Sequence, residues 1–341
     1  MPDSDEKWRL LRELTAAFGP SGQEDEVRRL IATTATARAD EIREDTLGSL
    51  IVRRRPATGG GRRVMICAHM DEIGVMTTHI DEAGFLRFAP VGGFRTAQME
   101  GQRLRFQSGL TAVLARQFLE PGQDKTENRR YYLDTGLGPE ALAAQGIDVG
   151  AMAVFAAPLT ETAATVSGKA LDNRIGCFVL LEALRRVRSR HDLYFVFSAQ
   201  EEVGLRGAKT AAFALEPDAA YIVDTTIADD IPRNPVATLR LGAGPAVKVM
   251  DRTIVVAPAR RDAVAALAQS AGIPFQWEII DRGGTDAGPV HLSRGGVATA
   301  GIAVPVRYIH SPAETAAKSD ILQACDLLVR CLEADFPAES G

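Results

Sequence analysis

Val64-Met65-Ile66-Cys67-Ala68 runs directly into His69-Met70-Asp71-Glu72. Five apolar residues with no polar alternation predict a central strand covered on both faces. The polar residues after it fall where open α/β sheets bind ligands, beyond the carboxyl ends of the strands. The same arrangement recurs downstream. The apolar run 193–199 precedes Gln200-Glu201-Glu202, and 219–223 precedes Asp224. The run 297–304 precedes a loop with Arg307-Tyr308-Ile309-His310. Helical patterns at 172–187, 205–215, 260–271 and 319–332 alternate with these runs, and 275–280 reads as one more strand. Such alternation predicts an α/β fold, with a mixed, mostly parallel sheet and helices on both faces.

Towards the N-terminus, Trp8, Leu11, Leu14 and Phe18 have helical spacing. Gly19-Pro20-Ser21-Gly22 breaks the chain, and Ser21 with Glu24 reads as a capping box for a second helix carrying Val27, Leu30 and Ile31. Strands at 41–44 and 49–53 follow, joined by Asp45-Thr46-Leu47-Gly48. After Glu72 the pattern changes. Short strand-like runs at 75–79, 85–89, 103–106, 110–115 and 151–156 are split by glycines, with one helix at 139–145 and a polar, exposed loop at 122–130. This predicts a small β-barrel-like domain, 75–167, inserted into an α/β domain made of 1–74 and 168–341.

The chain has 341 residues, 46% apolar and 24% charged, with a formal net charge of −5. A mildly acidic chain offers no electrostatic footprint for nucleic acid or a membrane surface. Arg53-Arg54-Arg55 and Arg62-Arg63 read as solvated strand ends. The polar opening residues lack a secretory pattern, and no apolar stretch nears the ~20 residues that span a bilayer, so the cytoplasm is expected. Cys67, Cys177, Cys325 and Cys331 form no CxxC pair, which argues against a thiolate metal site. Cys67 and Cys177 read as core, and Cys325 and Cys331 as too divergent on one helix for a disulfide.

His69, Asp172, Glu201, Glu202, Asp224 and His310 all stand at strand or helix ends on one predicted rim. Each alone has an ordinary reading: a satisfied polar residue, a helix cap or solvated surface. Together they are the ligand types that zinc, cobalt or manganese accept without thiolates. In an extended backbone Glu201 and Glu202 would point to opposite sides. One could then bind metal while the other activates water, the two roles that hydrolysis needs side by side.

Six segments, in order, resemble the tetrahedral aminopeptidases. They are Ala68-His69-Met70-Asp71-Glu72-Ile73-Gly74, Leu171-Asp172-Asn173-Arg174, Gln200-Glu201-Glu202-Val203-Gly204, Val223-Asp224, Gly283-Gly284-Thr285-Asp286-Ala287-Gly288 and His310-Ser311-Pro312-Ala313-Glu314. That family of dinuclear metallopeptidases includes the glutamyl aminopeptidases, and some members have carried the names cellulase M or endoglucanase. The resemblance implies a zinc-peptidase-like catalytic domain that removes N-terminal residues from peptide substrates. It implies two divalent metal ions per subunit, zinc first, with cobalt or manganese as alternatives. His69, Asp172 and Asp224 would hold one ion, and Asp172, Glu202 and His310 the other, with Asp172 bridging. Glu201 would be the general base, Asp71 would fix the His69 ring from behind, and the loop 283–288 would line the site. It also implies a homo-oligomer, a dodecamer built from dimers through the inserted domain.

The chain departs from the family pattern at Leu110-Thr111-Ala112-Val113-Leu114-Ala115 and at Arg233, neither of which is a ligand. His79, His191 and His291 have no ligand counterpart: His191 reads as a surface turn and His291 as structural. Two further readings stand beside the aminopeptidase: a dinuclear deacylase of N-acyl amino acids and a non-catalytic assembly protein that keeps the fold. A glycosidase fits poorly, because its two carboxyls must flank a bond at ~5–9.5 Å and Glu201 and Glu202 are adjacent.

Overall fold

The computed structural model describes residues 4–56, 61–118, 130–232 and 238–335. The chain opens with α1 (Ser4–Ala16), α2 (Asp25–Ala35), β1 (Glu41–Glu44), β2 (Leu50–Arg54) and β3 (Arg63–His69). It continues through β4 (Gly74–Ile80), β5 (Leu86–Val91), β6 (Arg103–Phe106), β7 (Thr111–Arg116), β8 (Tyr131–Asp134), α3 (Pro139–Ala144) and β9 (Met152–Phe155). β10 (Thr160–Glu161) and β11 (Thr165–Gly168) lead to α4 (Leu171–Arg186), β12 (Asp192–Ser198), α5 (Arg206–Leu215) and β13 (Ala219–Ile227). The chain ends with β14 (Ala246–Met250), α6 (Pro258–Ser270), β15 (Gln276–Ile279), α7 (Ala287–His291), β16 (Ala298–Arg307), β17 (Glu314–Ala317) and α8 (Lys318–Glu333).

The strands β1-β2-β12-β3-β13-β16-β17-β11-β10 form one mixed sheet, with β14 and β15 branching from β16. The four central strands, β12, β3, β13 and β16, are parallel, and the strands at both margins are antiparallel. The 64–68 run shows why it carries no polar alternation. Val64, Ile66 and Ala68 pack with Phe195, Phe197 and the apolar sides of α1, α2, α4 and α8. Met65 and Cys67 face the other way, onto α5 and α7 through Ala208, Ala212, Ala287 and Val290. Both faces are covered, so both must be apolar.

β4-β5-β8-β7-β6-β9 close into an antiparallel barrel around Val75, Leu86, Leu104, Phe106, Leu114, Leu133 and Phe155. β7 alternates exposed Thr111 and Val113 with buried Ala112 and Leu114, the period expected of a strand with one buried face. Closure leaves the barrel without free edges, so the need to cover sheet edges gives no reason for assembly.

Several local expectations change. Ser21 and Glu24 form no capping box, because buried partners compete for both side chains. The Ser21 hydroxyl donates to Asp71 Oδ2 at 2.6 Å, and Glu24 Oε1 accepts from the N–H groups of Gly22 and Gln200. Asp224 lies inside β13, not beyond it, because pairing with β16 carries the strand on to Ile227. Glu201 and Glu202 stand in a turn: the Glu201 carbonyl accepts from Gly204 N and Leu205 N. His191 is buried, with Nδ1 accepting from Arg62 N–H and Nε2 bonded to Ala334 O. The loop 122–130, apart from Arg130, and Arg233 lie outside the described residues. All four cysteines are buried and free. Among the described residues, no helix is long and apolar enough to cross a membrane.

Candidate metal centre

Four elements converge where the parallel strands end. His69 closes β3, Asp172 opens α4, Asp224 sits late in β13, and Glu201-Glu202 form the turn after β12. His310 comes from the link between β16 and β17. Asp172 stands at the centre. Its Oδ1 is 3.3 Å from His69 Nε2, and its Oδ2 is 3.2 Å from His310 Nε2. Glu202 Oε1 is 3.2 Å from His310 Nε2. On the other side, Asp224 Oδ1 and Glu201 Oε2 lie 3.6 and 3.9 Å from His69 Nε2. Donor atoms of His69, Glu201 and Asp224 lie within 4.8 Å of one another, and so do those of His69, Asp172 and Glu202. Spacing alone therefore does not divide the donors between two ions, since Glu201 and Glu202 both approach His69.

The chemistry of this set fits a cation. His69 Nδ1 bonds the Asp71 carbonyl at 3.1 Å, and His310 Nδ1 bonds the Gly93 carbonyl. With Nδ1–H donating to a carbonyl, each ring turns the lone pair of Nε2 towards carboxylates, and only a positive charge between them relieves that arrangement. Asp172 Oδ1 is buried and has no hydrogen-bond partner. The titration behaviour agrees. Burial pushes the His69 pKa down, but Glu201, Asp172, Asp224 and Asp71 outweigh it and hold it well above the usual value. Burial is likewise outweighed at His310, which Asp172 and Glu202 push up to about 12. Burial would raise Asp172, yet His310 and His69 hold it far below the carboxylate range. Burial raises Glu201, Glu202 and Asp224. The carboxylates thus favour positive charge at both imidazoles, the charge that a divalent ion would supply.

Asp71 is fully buried and organises the turn after β12. Its Oδ1 accepts from Glu201 N–H at 2.9 Å, and its Oδ2 from Glu202 N–H at 3.1 Å and from Ser21. It is the Asp71 carbonyl that bonds the His69 ring, while the carboxylate Oδ1 stands 3.5 Å from Nδ1. Asp71 therefore positions three site residues: His69, Glu201 and Glu202.

Other supports lie in or beside the resembling segments, where the sequence alone assigns them no role. Glu314 accepts the backbone N–H of Asp172 through one oxygen and that of His310 through the other, at 2.9 and 2.8 Å. Its place four residues after His310 is the signal that could have revealed it. Arg174 is wholly buried; its guanidinium donates to the carbonyls of Met70 and Ala17 and to Glu72. Lys169 also binds Glu72, so the chain entering the barrel and the chain leaving it meet in one ion pair. Asn173 Oδ1 accepts from Gly176 N–H, which makes Asn173, not Asp172, the residue that caps the regular part of α4. Ala170, Gln200, Leu205, Tyr308 and His310 all have φ between 56° and 59°. Backbone strain of this kind costs ~1–3 kcal/mol per residue and persists where the surroundings over-determine it.

These side chains line a cleft of about 510 Å³, with Thr225, Ile280, Arg282 and Thr285 on its other walls. Gly92 and Gly93, from the turn after β5, bring the barrel into the site. A Cβ on Gly92 would stand 2.7 Å from Ile73 and 3.3 Å from Glu202. His79 is exposed on the barrel, and His291 bonds the Ala287 carbonyl within its own helix; neither lines the cleft.

The fold and the sequence both have known counterparts. The chain superposes on an aminopeptidase from the archaeon Desulfurococcus kamchatkensis with a TM-score of 0.92 at 35% identity, covering 98% of this chain and 96% of that one. The TET1 peptidase of Pyrococcus horikoshii, described as assembling into a tetrahedron or a large octahedral shell, gives 0.82 at 27% identity over 96% and 99%. Lysyl aminopeptidase of Pyrococcus furiosus is 33% identical over 346 residues, 97% of this chain and 98% of its own length. The sequence model of the family described as M42 glutamyl aminopeptidase matches residues 48–327. The chain belongs to that aminopeptidase family and is a peptide hydrolase.

Proposed function

We propose that the chain is a dinuclear, metal-dependent aminopeptidase in which Glu201 is the general base. The observation that carries this reading is Asp172, whose two oxygens face His69 and His310 separately while Oδ1 makes no hydrogen bond. His69, Asp172 and Asp224 would hold one ion, and Asp172, Glu202 and His310 the other. Zinc suits this nitrogen and oxygen set, and cobalt or manganese would be accepted by the same ligands. Two divalent ions held there supply Lewis-acid polarisation of the scissile carbonyl and make the attacking water more acidic.

The protein's own groups do the rest. The Glu201 side chain is 10% exposed, and desolvation raises its pKa, so it can take the water's proton and return it to the leaving amine. Asp71 holds the Glu201 amide and so fixes where that carboxylate starts. Glu314 fixes the backbone of Asp172 and His310. The cleft walls orient the first residue of the peptide and exclude water around the reacting bond.

For quaternary structure, a dodecamer built from dimers, with the barrel as the contact domain, is the reading supported by the likeness to a TET1 structure described as a dodecamer. The decisive experiment is a panel of aminoacyl-anilides and short peptides, free and N-acetylated. It is run after chelation and after adding back zinc, cobalt or manganese. Metal-restored cleavage of free-amino substrates is expected. Cleavage confined to acetylated substrates would make the protein a deacylase, and no hydrolysis with any metal would leave an assembly protein.

A further inference from the structure

A second cavity lies outside the cleft that holds the histidines. It is a groove of about 1020 Å³ beside it, and the two share Gly204, Leu205 and Thr253. The Glu201 carbonyl accepts from Gly204 N–H, so the base of the reaction and the mouth of the groove belong to one turn. Nothing closes that mouth at Gly204, where an added Cβ would meet only Arg206 Nε, at 3.9 Å.

The walls of the groove have a distinct composition. Phe213 and Leu292 give it apolar surface, 55% and 70% exposed. Lys209, Arg252 and Arg294 line it, and among the described residues no acidic one does, although the chain as a whole has a net charge of −5. Arg294 is committed: it pairs with Glu216 at 2.9 Å and lies over the Phe213 ring. Lys209 and Arg252 are exposed, and neither has a carboxylate partner among the described residues.

We propose that this groove binds the downstream part of an extended peptide substrate and selects for a carboxylate there. The proposal rests on the aminopeptidase reading. If the first residue of the peptide must end in the cleft, everything after the scissile bond has to leave it. The shared mouth at Gly204, Leu205 and Thr253 leads that chain across apolar surface towards two unpaired cations. The carboxylate can come from an Asp or Glu side chain or from the C-terminus of a short peptide.

The test uses the metal-loaded full chain and two kinds of substrate. Anilides have no downstream residues and report on the chemistry alone. Peptides begin with the residue cleaved fastest as an anilide and carry Asp or Lys at successive downstream positions, with free or amidated C-termini. Exposed ion pairs are modest, so kcat/KM should favour Asp over Lys by about twofold to fivefold at one position, and salt should shrink the preference. Lys209→Glu with Arg252→Glu should erase or reverse it, with anilide turnover and particle mass unchanged. A fall in kcat/KM on amidation, with no preference for Asp over Lys, would assign the carboxylate to the C-terminus, and a preference for Asp that amidation leaves unchanged would assign it to a side chain. Active anilide cleavage with no dependence on downstream charge would overturn the proposal and leave the aminopeptidase intact. A changed particle mass with the preference retained would also overturn it, because a second copy of the chain would then cover the groove.

Discussion

Glu314 Oε2 accepts the backbone N–H of Asp172 at 2.9 Å, across 142 residues of sequence. The same carboxylate holds His310 N–H at 2.8 Å through Oε1. One buried side chain thus sets the separation of the central aspartate and the more exposed histidine. Glu314→Gln keeps the size but turns one acceptor into a donor facing an N–H. Partners that orient metal ligands are worth ~10–100-fold in metal affinity. The expected result is that loss in metal titrations, with secondary structure retained by circular dichroism. Unchanged affinity would show that Glu314 serves folding alone.

Asp172 faces both histidines, and His310 faces Asp172 and Glu202. Metal analysis should therefore find close to two ions per wild-type chain, fewer in His310→Ala and the fewest in Asp172→Ala. Identical stoichiometry in all three proteins would remove Asp172 from its bridging place.

Glu201 and Glu202 differ in environment as well as role. Glu202 lies 3.2 Å from His310 Nε2, and Glu201 reaches only His69, at 3.9 Å. Glu201→Gln should lower kcat by ~10²-fold or more while both ions stay bound. Glu202→Gln should lower metal content first. The reverse pattern, with Glu201→Gln losing an ion and Glu202→Gln keeping both, would exchange the two assignments.

A stability prediction comes from below the cleft. Lys248 Nζ is buried between Asp251 Oδ2 at 3.0 Å and Glu278 Oε1 at 2.9 Å, and Asp251 also binds Thr253 and Thr285 of the cleft wall. Burial lowers the Lys248 pKa, but Glu278 and Asp251 outweigh it, so the folded value is raised. A raised folded pKa means that the contribution is whole below the unfolded value of ~10.4 and is lost as pH rises through the folded one. Lys248→Met strands two buried carboxylates, so it should cost about 3–5 kcal/mol near neutral pH. The deficit should shrink in acid, as Asp251 and Glu278 take up protons. Urea unfolding of both proteins at pH 5 and pH 7 measures this, and a deficit that grew in acid would contradict it.

The sheet was legible because physics writes it into short windows. A strand buried on both faces must be continuously apolar, and 64–68, 193–197 and 219–223 all are. The ligand candidates were legible for the same reason, as polar residues placed next to those runs. What escaped depends on tertiary partners. β8 spans four residues, Tyr131–Asp134, and is defined by its neighbours β5 and β7. Asp224 falls inside its strand only because β16 pairs along the whole of it. Ser21 looked like a helix cap because its true partner, Asp71, is 50 residues away. The turn at Glu201 could not be told from an extended strand end, since Asp71 makes it by accepting two consecutive amides. In each case a local rule lost to a buried partner elsewhere.

The carbonyl that fixes the His310 ring belongs to Gly93, outside the main sheet and in the turn after a barrel strand. On the two-ion reading, ion occupancy and barrel placement would therefore be linked variables. Linkage is reciprocal: whatever free energy ion binding adds to holding the barrel in position, a held barrel returns to ion binding. A neighbouring subunit that gripped the barrel, as in the proposed assembly, would act on the same balance. Subunit association would then tune ion retention without touching a single ligand, and stripping the ions would loosen the particle from within.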